Sequence, residues 1–199
     1  MRYKSLVWFS IMFMAAGQYA AGQGSNEAVS TTEDVNDPNV MLKITCDEVI
    51  SVLGDKGLDL KAKEAKLDEI ISPFFDFELM SKLSLGKANW TRLSETQQCK
   101  FVDLFTKRLK KTYLEQITLY NNEQLVLKPA QQRKTGVSIS MDVVSGEKKI
   151  AVLYKLRQAT EQWKVYDVEI EGVSILRTYK AQFEDVLKKG SVEDLFAQL

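Results

Sequence analysis

The sequence predicts an α+β domain in which helices formed early in the chain pack on one face of a curved antiparallel sheet formed later. Two observations support this fold class. Residues 39–120 carry apolar side chains three or four positions apart, the spacing of an amphipathic helix. Residues 137–170 contain runs in which apolar and polar side chains alternate, with short polar links between them. Consecutive strands joined by short links pair antiparallel, so the chain order dictates the sheet.

The size and charge of the chain narrow its class. Its 199 residues suffice for one domain with a sizeable core. Lys and Arg number 27, as do Asp and Glu, so the formal net charge is zero. This balance gives no electrostatic footprint for nucleic acid and no polybasic membrane patch, and we expect no nucleic-acid partner.

The N-terminus has the layout of a secretory signal peptide over residues 1–22. Arg2 and Lys4 precede an apolar run at 6–16, and Ala20 and Gly22 occupy the −3 and −1 positions of a cleavage site. The run is too short to span a bilayer, although a retained membrane anchor is an alternative. Because no Cys follows it, a lipoprotein anchor is not expected. Cleavage would leave 25 basic and 27 acidic residues.

A polar segment and two cysteines come next. Residues 23–38 are rich in Gly, Ser, Asn, Thr, Glu and Asp, which predicts a disordered leader, with the folded domain spanning 39–199. Cys46 and Cys99 are the only thiols. In an oxidising compartment they could form one disulfide, but each lies in a helical pattern where free buried Cys is common. Their spacing does not suit a metal site.

The helical part predicts three main helices. The first runs from Asn39 to Gly54, and the second begins near Leu60 and is stopped by Pro73. An aromatic segment follows, with Phe or Trp at positions 74, 75, 77 and 90. Ser94-x-x-Gln97 is a capping box that opens the strongest helix. The apolar face of that helix is predicted from the following residues, before Asn121-Asn122 ends it: Phe101, Leu104, Phe105, Leu109, Tyr113, Ile117 and Tyr120.

Three strands follow, and a fourth around Gln124 to Lys128 is possible. The first carries apolar residues at 137, 139, 141 and 143, and the second at 150, 152, 154 and 156. In the third, Tyr166, Val168 and Ile170 are predicted to share one face. Ser145-Gly146 and Thr160-Glu161 suit the connections. Helical turns from 179 to 187 and from 192 to 199 close over the sheet.

The sequence lacks most of the residues and motifs that enzymes use for catalysis. The chain has no His, which excludes His-based acid–base catalysis, His-activated nucleophiles and His metal sites, and it has no phosphate-binding or dinucleotide motif. Asp76, Asp142 and Asp167 could each act as a general base in an apolar cup. Structural roles are the better interpretation, with Asp76 as a helix cap and Asp167 holding a turn or pairing with an Arg. We therefore expect no catalytic residue, metal or cofactor.

The chain is rich in aromatic and aliphatic residues on facing surfaces. They could fill a core, or they could line a hollow between sheet and helices that holds an apolar ligand. Periodicity alone does not separate these two interpretations.

Three segments resemble one family in the same order. PFFDFELMSKLSLG with Trp90, the long helix from Ser94 to Tyr120, and WKVYDVEIEGVSILRTYKAQF from Trp163 to Phe183 are similar to the signatures of the MlaC family. These are periplasmic phospholipid-binding proteins, also called toluene-tolerance auxiliary components. The resemblance covers about residues 40–199. It implies a monomeric periplasmic carrier that shuttles phospholipid between an outer-membrane lipoprotein complex of the Mla type and the substrate-binding subunit of an inner-membrane ABC transporter.

The expected fold is an NTF2-like cone with an apolar ligand pocket and a closing C-terminal helix. In this interpretation the bound phospholipid is cargo, and Trp90 and Trp163 are structural wedges. The residues expected to line the pocket are Phe74, Phe77, Leu79, Met80, Leu83, Phe105, Leu109, Tyr113, Ile139, Met141, Val152, Tyr154, Tyr166, Val168 and Val173.

Two other functions remain open. A small-molecule enzyme, of isomerase or dehydratase type, on a similar cone-shaped fold would place Asp76 or Asp167 on a polar pocket floor. A non-lipid interaction protein would have a filled core and no room for an acyl chain.

Overall fold

The computed structural model of the protein describes residues 36–117 and 123–199, without the side chains of 113–117. The predicted signal peptide, the leader up to residue 35, the side chain of Tyr113 and the predicted helix end at Asn121-Asn122 lie outside the described residues. The helices are α1 (Pro38–Gly54), α2 (Leu60–Ile71), α3 (Phe77–Leu85), α4 (Lys87–Trp90), α5 (Glu95–Ile117), α6 (Ile175–Lys189) and α7 (Val192–Gln198). A 3-10 turn at Ser72–Phe74 joins α2 to α3.

Side-chain caps fix where the helices begin. Helix α1 starts at Pro38, one residue before the expected start, because the Asp37 carboxylate accepts hydrogen bonds from the backbone N–H groups of Asn39 and Val40. The predicted capping box before α5 is confirmed: Gln97 N–H donates to Ser94 Oγ at 3.2 Å, and Ser94 N–H donates to Gln97 Oε1 at 3.1 Å. The last residues of the expected leader therefore belong to the folded unit.

The sheet has six strands, and every strand pair is antiparallel. The strands are β1 (Gln124–Leu127), β2 (Gln131–Arg133), β3 (Gly136–Ser145), β4 (Lys148–Ala159), β5 (Gln162–Ile170) and β6 (Val173–Ser174). Their order is β1-β3-β4-β5-β6, and β2 pairs with the other end of β3. The α+β prediction is confirmed, including the strand at Gln124. Strand β2 was not predicted, because Gln-Gln-Arg has no apolar alternation.

Two-residue turns join the long strands, at Gly146-Glu147, one residue later than the predicted Ser145-Gly146, and at Thr160-Glu161 as predicted. Gly146 follows β3 with φ +58°, and Thr160 follows β4 with φ +58°. A third tight turn at Glu171 (φ +50°) and Gly172 (φ +76°) leads from β5 to β6. Positive φ at the first loop position suits the right-handed twist of the flanking strands. The turns therefore set the register of β3, β4 and β5.

A bulge interrupts the pairing of β4 with β5. Lys155 lies opposite Asp167, whereas the next residue, Leu156, lies opposite Val165. Tyr166 is therefore an extra residue between two ladder positions. The prediction that Tyr166, Val168 and Ile170 share one face is wrong for Tyr166, because the bulge changes the phase of the strand there.

Gly136 tests how tightly β3 and β4 approach each other. Its φ is +99°, and a Cβ at this position would lie 2.0 Å from the carbonyl oxygen of Leu156. We expect Gly136→Ala to lower the free energy of unfolding by roughly 3 kcal/mol or more, because backbone strain and a clash with main chain add together.

Gly172→Ala is the matched control. This glycine also has a positive φ, +76°, but nothing lies within 4 Å of an added Cβ, so only the backbone strain of about 1–2 kcal/mol is expected. Urea denaturation of both variants measures the difference, and equal losses of stability would contradict the close approach at Gly136.

Candidate functional site

One face of the sheet, called the inner face below, is continuously apolar. Strand pairing places Leu156 beside Val137 and Val165, and Tyr154 beside Ile139 and Val168. Val152 lies beside Met141 in the next row. Because side chains two apart on a strand share a face, these rows form one surface across β3, β4 and β5. Only the tyrosine hydroxyl is polar in these three rows.

The inner face is closed at one end and half open at the other. Leu156 and Val165 are 0% exposed, whereas Val152 is 9% exposed. The row beyond Val152, near the β3–β4 turn, is only half-buried. It consists of Leu125, Val143 and Ile150, and Ile170, which is paired with Val152, is half-buried as well. Apolar side chains therefore lead from the core towards solvent along the strands.

Helix α1 covers the inner face and is tied to the sheet by its first residues. Leu42 is 2% exposed and packs into the inner-face cluster. The Asn39 amide donates to the Lys128 carbonyl at 2.9 Å and accepts from Ala130 N–H at 2.7 Å. Trp163 Nε1 donates to the carbonyl of Asn36 at 2.8 Å. The start of α1 is thus fastened both to the segment after β1 and to β5.

Cys46 and Tyr154 bring polar atoms to this interface. Burial raises the pKa of the Cys46 thiol to about 11, with a further contribution from the nearby Asp47 carboxylate. Burial also raises the pKa of Tyr154, and its proximity to Cys46 adds to the effect. Both groups are therefore neutral at pH 7. Cys46 and Cys99 are free thiols, and Cys99 is exposed, unlike the buried position that its helical pattern suggested.

The helices form a second apolar cluster, separate from the inner face. Phe101 and Phe105 of α5 stack with ring centroids 5.7 Å apart, and both meet Phe183 of α6 edge-on. Met80 and Leu85 of α3 and Leu195 of α7 also belong to this cluster, called the helical core below. Aromatic pairs of these two geometries add to the stability from area burial. The helical core is therefore a tightly packed unit beside the sheet.

A short corner connects the two clusters. Phe74 packs into the inner face, Phe77 packs against the helical core, and Phe75 contacts both. Phe75 forms a bridge with Val165, and Asp76 N–H donates to the Val165 carbonyl at 2.8 Å. The corner thus joins the start of α3 to β5.

All but two of the predicted lining residues, Leu79 and Tyr113, fall into three groups. Six lie in or against the inner-face cluster: Phe74, Ile139, Met141, Val152, Tyr154 and Val168. Four belong to or pack against the helical core: Phe77, Met80, Phe105 and Leu109. Leu79 is half-buried, and Tyr113 lies outside the described side chains. The remaining three border surface depressions: Leu83, Tyr166 and Val173. Trp90 packs against the helical core and Trp163 against the inner face.

Two depressions lie beside the start of α6. One, of about 390 Å3, is lined by Gly172, Val173, Ser174, Arg177 and Thr178. The other, of about 180 Å3, is lined by Leu83, Tyr166, Asp167, Ser174, Leu176, Arg177 and Lys180. Leu83 is 42% exposed and Val173 is 51% exposed. Leu83, Tyr166 and Val173 lie outside both apolar clusters, whereas Leu176 belongs to the helical core.

The three aspartates considered as bases all have structural partners. Asp76 caps α3 by accepting from Leu79 N–H at 3.0 Å, and it pairs with Arg157. Asp167 accepts from Ser174 Oγ at 2.9 Å and pairs with Lys155, not with an arginine. It also accepts from Leu176 N–H at 3.3 Å, which ties the start of α6 to β5. The capping role predicted for Asp76 is confirmed.

Asp142 lies under two lysines. Hydrogen bonds from Lys149 and Lys128 hold the pKa of its carboxyl below the usual range. Across the described ranges 36–117 and 123–199, no group of His, Cys, Asp and Glu could hold a metal ion. In those same ranges no helix has both the length and the apolarity needed to cross a bilayer.

Sequence reasoning missed the half-open row and the cover over it. Leu125, Val143 and Ile150 were visible as strand residues, but alternation does not tell which end of a strand is closed. Leu42 was hidden because the first helix carries apolar residues on several sides, and only the fold selects the face that meets the sheet.

Comparison with known proteins gives a consistent result. Residues 43–199 match the family described as MlaC protein. The chain is 21% identical over 202 residues to the intermembrane phospholipid transport system binding protein MlaC of Haemophilus influenzae, covering 96% of this chain and 91% of that protein. It is 26% identical over 126 residues to the toluene tolerance protein ttg2D of Pseudomonas putida, covering 62% of this chain and 58% of that protein.

A solved structure is similar in fold and in sequence. It is the phospholipid-binding protein from Ralstonia solanacearum in complex with a phospholipid. The match has a TM-score of 0.71 and 29% sequence identity, and it covers 81% of this chain and 93% of that one. The agreement therefore extends over nearly the whole of the other chain.

The two thiols should differ sharply in reactivity. Exposed Cys99 should react with Ellman's reagent at pH 8 within minutes, whereas half-buried Cys46, with its raised pKa, should react only after unfolding. We expect one reactive thiol per native chain and two in guanidinium chloride. Cys99→Ser should abolish the native reaction, and fast labelling of both thiols in the native protein would contradict the burial of Cys46.

The Asp76 corner should matter more than any exposed ion pair. Asp76→Ala removes a helix cap and leaves Arg157 without its carboxylate, so we expect a loss of about 2–3 kcal/mol in the free energy of unfolding. Asp103→Ala breaks the exposed pair with Lys107 and should cost about 0.5 kcal/mol or less. Urea denaturation compares the two, and similar losses would rule out a special role for the corner.

Proposed function

This chain belongs to the MlaC family, and we propose that it is a phospholipid carrier whose apolar inner face holds the acyl chains. The observation that carries the proposal is its similarity, at 29% identity and a TM-score of 0.71, to a protein solved in complex with a phospholipid. The names of its relatives in Haemophilus influenzae and Pseudomonas putida, which refer to intermembrane phospholipid transport and toluene tolerance, agree with it.

The physical need for such a carrier is clear from the hydrophobic effect. Each buried CH₂ group is worth about 0.8 kcal/mol, so exposing two acyl chains to water costs on the order of 20 kcal/mol. A lipid crosses an aqueous compartment only inside a container nearly as apolar as the bilayer. The inner face offers three rows of apolar side chains across β3, β4 and β5 for this purpose.

The half-open row suggests where the tails enter. Leu125, Val143 and Ile150 continue the inner face towards the β3–β4 turn and are only half-buried, as is Ile170 beside Val152. Side chains such as Ile139, which is 0% exposed, fill the deeper part. An acyl chain that enters must therefore displace the element that covers the inner face. Helix α1 suits the role of a movable cover, because its first residues hold one end of it to the sheet.

We place this carrier in the periplasm, between an outer-membrane complex and an inner-membrane ABC transporter. The support is the signal-peptide layout of residues 1–22 together with the intermembrane transport named for the Haemophilus influenzae relative. We propose no chemical step, because Asp76 and Asp167 are occupied by a helix cap and by ion pairs.

A non-lipid interaction protein with a filled core is the second candidate. It is favoured by the complete burial of Ile139, Leu156 and Val165 in the inner face. The presence or absence of bound phospholipid distinguishes the carrier from the non-lipid interaction protein.

Lipid extraction tests the proposal directly. Residues 23–199, secreted and purified without detergent, should release phospholipid into chloroform–methanol, detectable by phosphorus assay and mass spectrometry at a near-integral molar ratio to protein. The reason is that emptying the inner face would expose apolar surface to water. A properly folded preparation with no extractable phospholipid would sink the proposal and favour the filled-core candidate.

Adjacent residues of β1 provide a matched pair of variants. Leu125 packs against the inner face, whereas its neighbour Val126 is 48% exposed on the other side. Leu125→Glu should lower the bound phospholipid at least fivefold, because it places a charge beside the tails. Val126→Glu should leave the lipid content unchanged. Equal lipid content in both variants, each folded by circular dichroism, would place the tails elsewhere.

A further inference from the structure

The ion pairs around the sheet differ from those on the helices. In the five (i, i+4) helix pairs among the described residues, both side chains are at least 41% exposed. In the six pairs that involve sheet residues, the carboxylate side chains are only 7–15% exposed while the cations are 28–72% exposed. In these six pairs the carboxylates are therefore nearly buried, and the cations lie nearer to solvent.

These pairs lie on or beside the side of the sheet opposite the inner face, called the outer face below. Lys149, Lys155 and Arg157 alternate along β4 with the inner-face residues. Lys149 and Lys128 both pair with Asp142, at 2.8 and 2.9 Å. Further pairs join Lys155 to Asp167 and Glu169, Arg157 to Asp76, and Arg177 of α6 to Glu169.

The layering gives the outer face a positive exterior. Five cations cover four carboxylates, and Lys164 of β5 adds another cation opposite Arg157. A phosphate that approaches from solvent meets an ammonium or guanidinium group first, with the carboxylate some ångströms deeper. Because Coulomb energy falls with distance, the nearer charge dominates at contact. The zero formal charge of the whole chain conceals this separation.

We propose that the outer face is a docking surface for anionic phospholipid membranes. Juxtaposed Lys and Arg side chains are attracted to such a surface by about 1 kcal/mol each, and the attraction fades within a Debye length. The contact does not depend on the lipid carried by the inner face, because the two faces are separated by the sheet.

The apolar content of the outer face favours a membrane over a protein as the occupant. Protein interfaces are built around a desolvated apolar core that is enriched in aromatic residues. On the described strands, two large apolar side chains stand exposed, Val126 at 48% and Val173 at 51%. Val126 lies on the outer face beside Asp142, whereas Val173 is paired with Ile170 of the inner face. Electrostatic contact with lipid headgroups needs no such core.

Vesicle flotation tests the surface. The protein comprising residues 23–199 should bind vesicles of 30% phosphatidylglycerol in phosphatidylcholine at least tenfold more tightly than pure phosphatidylcholine at 25 mM NaCl. About 200 mM NaCl should remove most of this difference. Equal binding to the two compositions, or no binding to either, would overturn the proposal while leaving the lipid-extraction result intact.

A variant with the Lys128–Asp142–Lys149 cluster neutralised, called the clasp variant below, locates the membrane contact. Lys128→Gln, Asp142→Asn and Lys149→Gln together remove two cations and one carboxylate while retaining hydrogen-bonding groups. We expect about fivefold weaker binding to the anionic vesicles. The control combines Asp103→Asn, Lys107→Gln and Lys111→Gln on α5, which removes the same charges and should change binding less than twofold.

A single exposed residue provides a second route if the clasp variant fails to fold. Arg177 is 72% exposed in its side chain, and its partner Glu169 keeps Lys155. Arg177→Gln should weaken binding to the anionic vesicles two- to fivefold. Unchanged binding in this variant and in a folded clasp variant, or the same loss in the α5 control, would assign any vesicle binding to another surface and overturn the proposal for the outer face.

Discussion

The fold depends on the corner at Phe74–Phe77, where one carboxylate and three phenylalanine rings join two apolar clusters. Asp76 caps α3, pairs with Arg157 of β4 and, through its backbone N–H, bonds to Val165 of β5. A buried carboxylate is stable only when its lone pairs are satisfied, so these contacts require one another. The corner therefore fixes the angle at which the helical core stands beside the sheet.

The separation of the two clusters has a functional meaning. The helical core is held by stacked and edge-on contacts among Phe101, Phe105 and Phe183, which fit only one arrangement. The inner face is covered mainly through Leu42 of α1 and is half open beyond Val152. In the proposed carrier, the helical core would keep the shape of the protein while the inner face takes up and releases the acyl chains.

Helix caps and turns were predictable from sequence, whereas the face of the sheet on which each strand residue lies was not. The Ser94–Gln97 capping box, the turn at Gly146 and the Asp76 cap each rest on a few adjacent residues, and each is present. The bulge at Tyr166 was not predictable, because Tyr-x-Val-x-Ile reads as regular alternation and only the partner strand reveals the extra residue.

The candidate site shows the same limit. The tendency of Ile139, Met141 and Val152 to be buried was visible in the alternation, whereas Leu83 and Val173, also predicted to line the pocket, are exposed. A sequence pattern reports which side of an element is apolar, but not which neighbouring element covers it. The position of carboxylates beneath cations on the outer face has no sequence signal, because the paired residues lie on different strands.

The extra residue at the bulge reverses the alternation of inner and outer side chains partway along β5. Before Tyr166, odd-numbered positions such as 163 and 165 face the inner side, and after it the even-numbered positions 168 and 170 do so. Any alignment of relatives that carries β5 across without a gap, where a relative lacks the extra residue, exchanges inside and outside for half the strand. Homologous positions in this segment must therefore be assigned by strand partner, not by counting along the chain.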